Sequence, residues 1–231
     1  MREIKEILGN AFPFSCLSKK ELDSLLDGAS KINLTRKDVL YRPGIPNEYI
    51  YLILSGGIKV TKSNGRYMRF IIDFYSPGSL IGEDGLVSSE AQDTEARPLD
   101  RASVIRVDRK KVSRLLDNNP GFAHAWLELL DRRSRAYREK MEDLVFKEVR
   151  ARLAGALFKL ARSFGRRDRQ GLVITARITH QDLADYIGAS RETVSLTLAE
   201  MRRKKLIRMN VRRFVVPDLK LLKKASNTNQ R

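Results

Sequence analysis

Residues 179–207, T-H-Q-D-L-A-D-Y-I-G-A-S-R-E-T-V-S-L-T-L-A-E-M-R-R-K-K-L-I, leave the chain little choice of local fold. Thr179 suits the cap of a helix, with Asp182 in the reciprocal position of a capping box. Gly188 supplies the left-handed residue that ends this helix, and Ser190 caps a second one. Leu183, Ile187, Val194, Leu198 and Met201 recur at helical spacing and are expected to face inward. Arg191, Glu192 and Ser195 then lead the outer face of the second helix, and all three can hydrogen-bond base edges in a major groove. A basic run, Arg202–Lys205, follows. An ordinary helical hairpin explains these features one at a time; a helix-turn-helix for double-stranded DNA explains them together.

The charge distribution agrees. Of the net +17, residues 1–120 contribute little, with 19 Lys and Arg against 16 Asp and Glu, whereas residues 121–231 hold 26 against 12. A basic half joined to a near-neutral one is the footprint of a polyanion-binding domain attached to something else. No apolar run approaches a membrane span, and the start of the chain lacks the apolar core of a signal peptide, so a cytoplasmic protein without membrane partners is expected. One cysteine, Cys16, makes no internal disulfide and no four-cysteine iron–sulfur cluster; it is expected to be a small buried apolar residue. With two histidines, His124 and His180, a zinc site has almost no ligands to draw on.

Before the basic half, residues 1–29 read as helical, with a capping box at Ser18–Glu21. Short strands are expected at 32–35, 39–41, 48–54, 57–61, 68–74 and 101–107, separated by turn residues, with Asn64-Gly65 marking a hairpin. Such strands make a compact antiparallel sandwich or barrel. A short helix after Asp108 is stopped by N-N-P-G at 118–121. In the long helix 121–146, Ala123, Leu127, Leu130, Ser134, Tyr137, Met141 and Leu144 form a heptad seam, while R-R-S-R, R-E-K and E-D place its other faces in solvent. The seam needs a partner. The protein's own sheet would serve, but the same helix of a second copy suits a helix-turn-helix reader better, so a homodimer through Leu127, Leu130, Tyr137, Met141 and Leu144 is expected. Residues 147–164 form an amphipathic helix with Val149, Leu153, Leu157 and Leu160 inward; 165–171 is a charged loop, 172–175 a strand, and 207–216 a hairpin turning near Asn210–Arg212. A helix-turn-helix followed by a hairpin is a winged helix, with Arg212 and Arg213 of the wing as phosphate contacts. The tail from Ser226 is polar. The fold class is therefore α+β: a β-roll sensor domain over 1–120, a dimerisation helix over 121–146 and a winged-helix DNA-binding domain over 147–231.

This order of elements resembles the CRP/FNR family of bacterial transcription regulators, whose β-roll is a cupin-like jelly roll. I-G-A-S-R-E-T-V-S-L-T-L (187–198) is close to the family's G-x-S-R-E-T-V-x-R-x-L, P-G-S-L-I-G-E (77–83) is similar to its effector-domain loop, and L-F-K-L-A (157–161) to the helix after the dimerisation helix. The resemblance implies that Arg191 and Glu192 read bases, and that His180, Gln181, Ser190 and Thr193 contact phosphates. It also implies an effector pocket near Gly82, Glu83, Gln92, Asp93, Arg133, Tyr137 and Arg138, a pseudo-palindromic operator and contact with RNA polymerase.

Two departures matter. The family commonly has an arginine where this chain has Leu196, which can touch a thymine methyl or instead pack against the helix bundle. The Arg-Ser pair that holds a cyclic phosphate in cyclic-nucleotide binders is replaced by Gln92 and Asp93, and the Thr-Ser pair of the long helix by Tyr137-Arg138. Cyclic AMP is therefore not the expected effector. A redox or gas signal, haem included, stays open, although His124 and Cys16 are poorly placed as haem ligands. An architectural DNA-binding protein without sequence choice is disfavoured by Glu192, an acidic residue that repels phosphate and gains only from base readout. No constellation suggests an enzyme.

Overall fold

The computed structural model describes residues 2–65, 68–84, 86, 92–210 and 213–227. They divide into two compact units: residues 1–60 with 75–137, and residues 61–74 with 138–231.

The first unit opens with helices α1 (Arg2–Asn10) and α2 (Lys19–Leu26), the latter capped by the reciprocal Ser18–Glu21 box the sequence announces. Strands β1 (Ser30–Leu34), β2 (Tyr49–Ser55), β5 (Leu80–Ile81) and β7 (Ala102–Asp108) form an antiparallel sheet in the order β1-β7-β2-β5. A second sheet runs β4-β3-β6, from β3 (Ile58–Asn64), β4 (Met68–Tyr75) and β6 (Glu95–Pro98); residues 61–74 of β3 and β4 are counted with the second unit. Helices α3 (Arg109–Asn118) and α4 (Pro120–Phe146) follow, α4 passing into the second unit after Tyr137. Pro120 opens α4 where its missing N–H costs nothing, and the Asn119 side chain accepts from Phe122 N at 2.9 Å. Phe14, Phe122 and Trp126 pack with ring centres 5.6–6.4 Å apart within a core that also holds Leu25, Ile50, Leu52 and Ile105. Truncating Phe122 to alanine would cost about 3–5 kcal/mol.

The second unit contains α5 (Val149–Phe164), β8 (Gly165–Asp168), β9 (Gly171–Ile174), α6 (His180–Ile187), α7 (Arg191–Arg203), β10 (Arg208–Asn210), β11 (Arg213–Val216) and α8 (Leu219–Ser226). Its sheet runs β10-β11-β9-β8. Leu153, Leu157 and Leu160 of α5 are buried with Leu183, Ile187, Val194, Leu198 and Met201, the inward set read from periodicity.

Four expectations need correction, and two short strands add to the sequence reading. Residues 39–41 form no strand: Asp38 accepts from Thr35 N and Thr35 Oγ1 at 2.7 and 2.8 Å, a turn that leaves one bridge, Tyr41 to Ala96. The short strands β5 and β6 were not foreseen, because neither carries enough alternating apolar residues to signal itself. Residues 165–171 are not a loop but β8 and its turn onto β9; the strand lies at the sheet edge with Arg166, Arg167 and Asp168 exposed, so no apolar alternation betrays it. Cys16 is exposed, its thiol donating to Pro13 O at 3.0 Å. Lys140, in the face read as solvated, has its ammonium enclosed by other residues, as described below. Helix α8 also precedes the polar tail, capped by Asp218 and anchored by the fully buried Leu222. The wing's Arg212 lies outside the described residues. Among the described residues no helix is long and apolar enough to cross a membrane.

Candidate DNA interface and effector pocket

The candidate DNA-facing surface is built by two caps and a glycine. Thr179 Oγ1 accepts from Asp182 N at 3.0 Å while Asp182 Oδ2 accepts from Thr179 N at 2.9 Å, which fixes the start of α6. Gly188 ends that helix at φ 63°, ψ 53°, a conformation costly for any residue with a Cβ. Ser190 Oγ accepts from Thr193 N at 3.1 Å and starts α7. Burial of Val194, Leu198 and Met201 on one side leaves Arg191, Glu192, Thr193 and Leu196 outward.

Each residue named from the sequence has a definite place. Arg191 and Glu192 are exposed at the N-terminus of α7, where the Glu192 backbone N–H and Ser190 hold the Glu192 carboxyl below the usual range and keep it ionised. Leu196 is 74% exposed, so it does not pack against the helix bundle. Ser195 is engaged: its hydroxyl donates to Arg191 O at 2.9 Å and lies 2.9 Å from His180 Nδ1. The His180 ring stacks on Phe214 at 6.3 Å, and burial, with Arg191 beside it, lowers its pKa and keeps it neutral near pH 7. His180 and Ser195 thus brace α6 against α7 more than they reach outward. Gln181 is exposed and donates to Asp185 at 2.6 Å; Thr193 bonds Ser190 at 3.0 Å between hydroxyls; Arg213 is exposed at the start of β11. Sequence reasoning passed over a groove between α7 and β10, about 910 Å³, lined by Leu196, Arg202, Arg203, Arg208 and Met209. Its only sequence signal was the exposed apolar Met209 in an otherwise polar hairpin strand.

The effector-domain loop is equally specific in its backbone. Gly82 has φ +90°, and a Cβ there would lie 2.8 Å from Asn47 Nδ2 and 3.0 Å from Tyr49 O. It delivers Glu83, 8% exposed, into an ion pair with Arg133 of α4, 14% exposed. Arg133 also donates to Leu80 O and sits over the Tyr75 ring, whose hydroxyl meets that of Tyr137 at 3.2 Å. Gln92 is 4% exposed, and neither atom of its amide has a hydrogen-bond partner among the described residues. Asp93 is exposed; burial and then Asp93 raise the carboxyl of nearby Asp84 above its usual range. Arg97 is taken by Glu95 of the same strand, at 2.6 and 3.0 Å. Arg138 is exposed and belongs to the second unit. Along α4, Leu127 (64% exposed), Leu130, Tyr137 and Met141 are open to solvent, and Leu144 is half-buried.

A sheet domain with an effector loop, a long helix and a winged helix-turn-helix define the class: a DNA-binding regulator with a ligand-binding domain. Residues 31–119 match the cyclic nucleotide-binding domain family and residues 151–225 the Crp-like helix-turn-helix domain. The chain is 25% identical over 213 residues to the CRP-like cAMP-activated global transcriptional regulator of Mycobacterium tuberculosis, covering 92% of this chain and 95% of that one. It is 27% identical over 195 residues to the anaerobic regulatory protein of Bacillus subtilis, covering 84% and 82%. Among solved structures, FixK2 from Bradyrhizobium japonicum shares the fold with a TM-score of 0.77 at 21% identity, covering 87% of this chain and 99% of that one. Together the two matches are the cyclic nucleotide-binding domain and the Crp-like helix-turn-helix of CRP/FNR transcription regulators, a family whose members bind DNA as dimers.

Proposed function

We propose that this regulator dimerises along α4 and reads a pseudo-palindromic operator whose half-site centres lie about 10 base pairs, or about 34 Å, apart. The observation that carries the reading is the outward face of α7, where Arg191, Glu192 and Leu196 stand exposed on a helix locked by its caps. Arg191 and Glu192 offer a donor and an acceptor to base edges, and Leu196 offers apolar contact to a thymine methyl. Ser195 joins them only by giving up its bond to His180. Gln181, Ser190, Thr193, Arg213 and the groove arginines supply the phosphate contacts that position the readers. RNA polymerase is the expected further partner.

The effector is a small molecule other than cyclic AMP or cyclic GMP. A bound cyclic phosphate needs a bidentate cation or several donors once out of water. Here Glu83 holds Arg133, Glu95 holds Arg97, and the residues at the phosphate position are a neutral amide and an acid, Gln92 and Asp93. Gln92 brings one donor pair and one acceptor to a buried place, which suits a ligand carrying both.

Selection of the full chain against random duplex DNA tests the reading: an enriched palindrome is expected, and enrichment without symmetry would overturn it. Leu127→Glu with Leu130→Glu should yield monomers that bind the enriched duplex at least a hundredfold more weakly. A dimer persisting in sedimentation would reject the α4 seam.

A further inference from the structure

Lys140 lies on α4 in a stretch, Arg138–Lys140, that reads as a solvated face, yet its ammonium is enclosed. Nζ donates to two consecutive carbonyls of β4, Ile71 O and Ile72 O, each at 2.7 Å. It sits 3.6 Å from the centre of the Tyr186 ring and 4.4 Å from that of Phe70. Tyr186 belongs to α6, the first helix of the helix-turn-helix, and is buried against Phe74 at 5.0 Å while its hydroxyl donates to Asp73 at 3.3 Å. One amine therefore joins three elements: α4, which carries it, β4, whose edge carbonyls it satisfies, and α6, whose aromatic face it covers. One turn further along α4, Leu144 presses on the turn of the motif, 3.1 Å from where a Cβ on Gly188 would stand. Arg152 of α5 ties Leu144 O, at 3.0 Å, to Gly188 O, at 3.4 Å.

We propose that Lys140 is a positioning residue for DNA binding: by clamping α6 to α4 and β4 it fixes the angle at which the helix-turn-helix leaves the long helix, and so the half-site spacing the dimer accepts. The inference rests on the paired-half-site reading above. If two α4 helices form the dimer axis, any freedom between α4 and α6 becomes freedom in the distance between the two recognition helices. A buried aliphatic residue would fill the space, but it would not satisfy the two β4 carbonyls or hold the Tyr186 ring face-on.

The clamp also carries a proton signature. Charged or titratable groups face Lys140 from every side: Asp73 on β4, Tyr186 on α6, Asp143 on α4, and Lys159 and Arg152 on α5. Burial is the largest influence and brings the Lys140 pKa down to about 7, with Asp73 opposing and Lys159 assisting. Released from the clamp, the amine returns to the ordinary lysine range, so closing expels a proton between pH 7 and that range. Raising the pH through this window favours the closed clamp, by at most about tenfold per pH unit.

The test uses the full-length protein and the palindromic duplex that the wild type enriches from random DNA, resynthesised with the half-sites moved one or two base pairs closer or further apart. The wild type should prefer the enriched spacing at least tenfold, and this preference should sharpen from pH 7 to pH 9. Lys140→Met should flatten the preference to threefold or less and abolish its pH dependence, with base preferences inside each half-site unchanged. Lys140→Arg, which keeps N–H donors for the two carbonyls but holds its proton throughout this range, should retain most of the spacing preference without its pH dependence. A Lys140→Met protein with the wild-type spacing preference overturns the proposal. So does one that loses half-site and spacing preference in equal measure, since that marks general damage to the fold. If Lys140→Met does not fold, Tyr186→Phe, which removes only the bond to Asp73, is judged by the same criteria, with a smaller expected flattening. A wild type indifferent to spacing would sink the paired-half-site reading, and this proposal with it; a sharp wild-type preference that Lys140→Met keeps would sink the clamp alone.

Discussion

Two glutamates show how differently the two regions are built. Glu192 stands exposed at the start of α7, held ionised by backbone and Ser190. Glu83 is buried and already bound to Arg133. A residue proposed to read DNA must meet its partner from solvent, and Glu192 stands open while the caps behind it take the internal hydrogen bonds. A residue lining a pocket has no solvent to satisfy it, so the protein pairs it internally and a ligand must compete with that pair. The exposed face is thus legible as chemistry, whereas in the pocket the charged groups answer one another and the Gln92 amide is left without a partner among the described residues.

The sharpest way to break this comparison is to neutralise both glutamates. Glu83→Gln leaves a buried guanidinium without its carboxylate and should lower stability by about 3–5 kcal/mol in denaturant melts. Glu192→Gln should change stability by less than about 0.5 kcal/mol, as expected at an exposed site, while relaxing base preference at one position of each half-site. Equal losses of stability would show that the two sites are not built on different principles. Next in size, Arg191→Ala should cost about 1–3 kcal/mol of operator affinity and relax one base pair. Arg213→Ala should cost less, fall equally on all sequences and reduce the salt slope by about one ion, because a phosphate contact carries no base information. If the two arginine variants lose affinity and specificity in the same proportion, the division between readers and positioners is wrong.

What could be read in advance follows from the range of the forces involved. Caps, turns and helical periodicity are local, so Thr179, Gly188, Ser190 and the inward leucines declared the helix-turn-helix, and Ser18 with Glu21 declared α2. The edge strand β8 and the short strands β5 and β6 carry no alternation of their own; they are set by neighbours distant in sequence. Burial of a charged residue is the least local of all. Lys140 sits among Arg138, Glu139, Met141 and Glu142, and nothing there signals that two carbonyls from residues 71 and 72 will come to meet it. For the same reason the bond from His180 to Ser195 was invisible, and Ser195 looked freer to read a base than it is. Leu196 was ambiguous between surface and core until its exposure was seen, because its spacing from Val194 and Leu198 fits either face.

The smallest expected effect is the response to a cyclic nucleotide. A ligand that binds only the folded state raises stability in proportion to the logarithm of its concentration over Kd, so cyclic AMP at a hundred times its Kd would add about 2.7 kcal/mol. At millimolar cyclic AMP or cyclic GMP this protein should show no shift in Tm and no change in operator affinity. The cations nearest the site are committed, Arg133 to Glu83 and Arg97 to Glu95, and an incoming phosphate would have to break a buried pair before gaining a partner. Asp93 and Asp84 lie close by, and burial, then the charge of Asp93, raises the Asp84 carboxyl. Replacing Gln92 with Arg and Asp93 with Ser tests whether this local charge is the obstacle. If it is, the double variant should gain a Tm shift with cyclic AMP that the wild type lacks. A wild-type shift of several degrees that also tightens operator binding would mean that Arg133 leaves Glu83 for the phosphate, and the contrast between an open reading face and a self-paired pocket would fall.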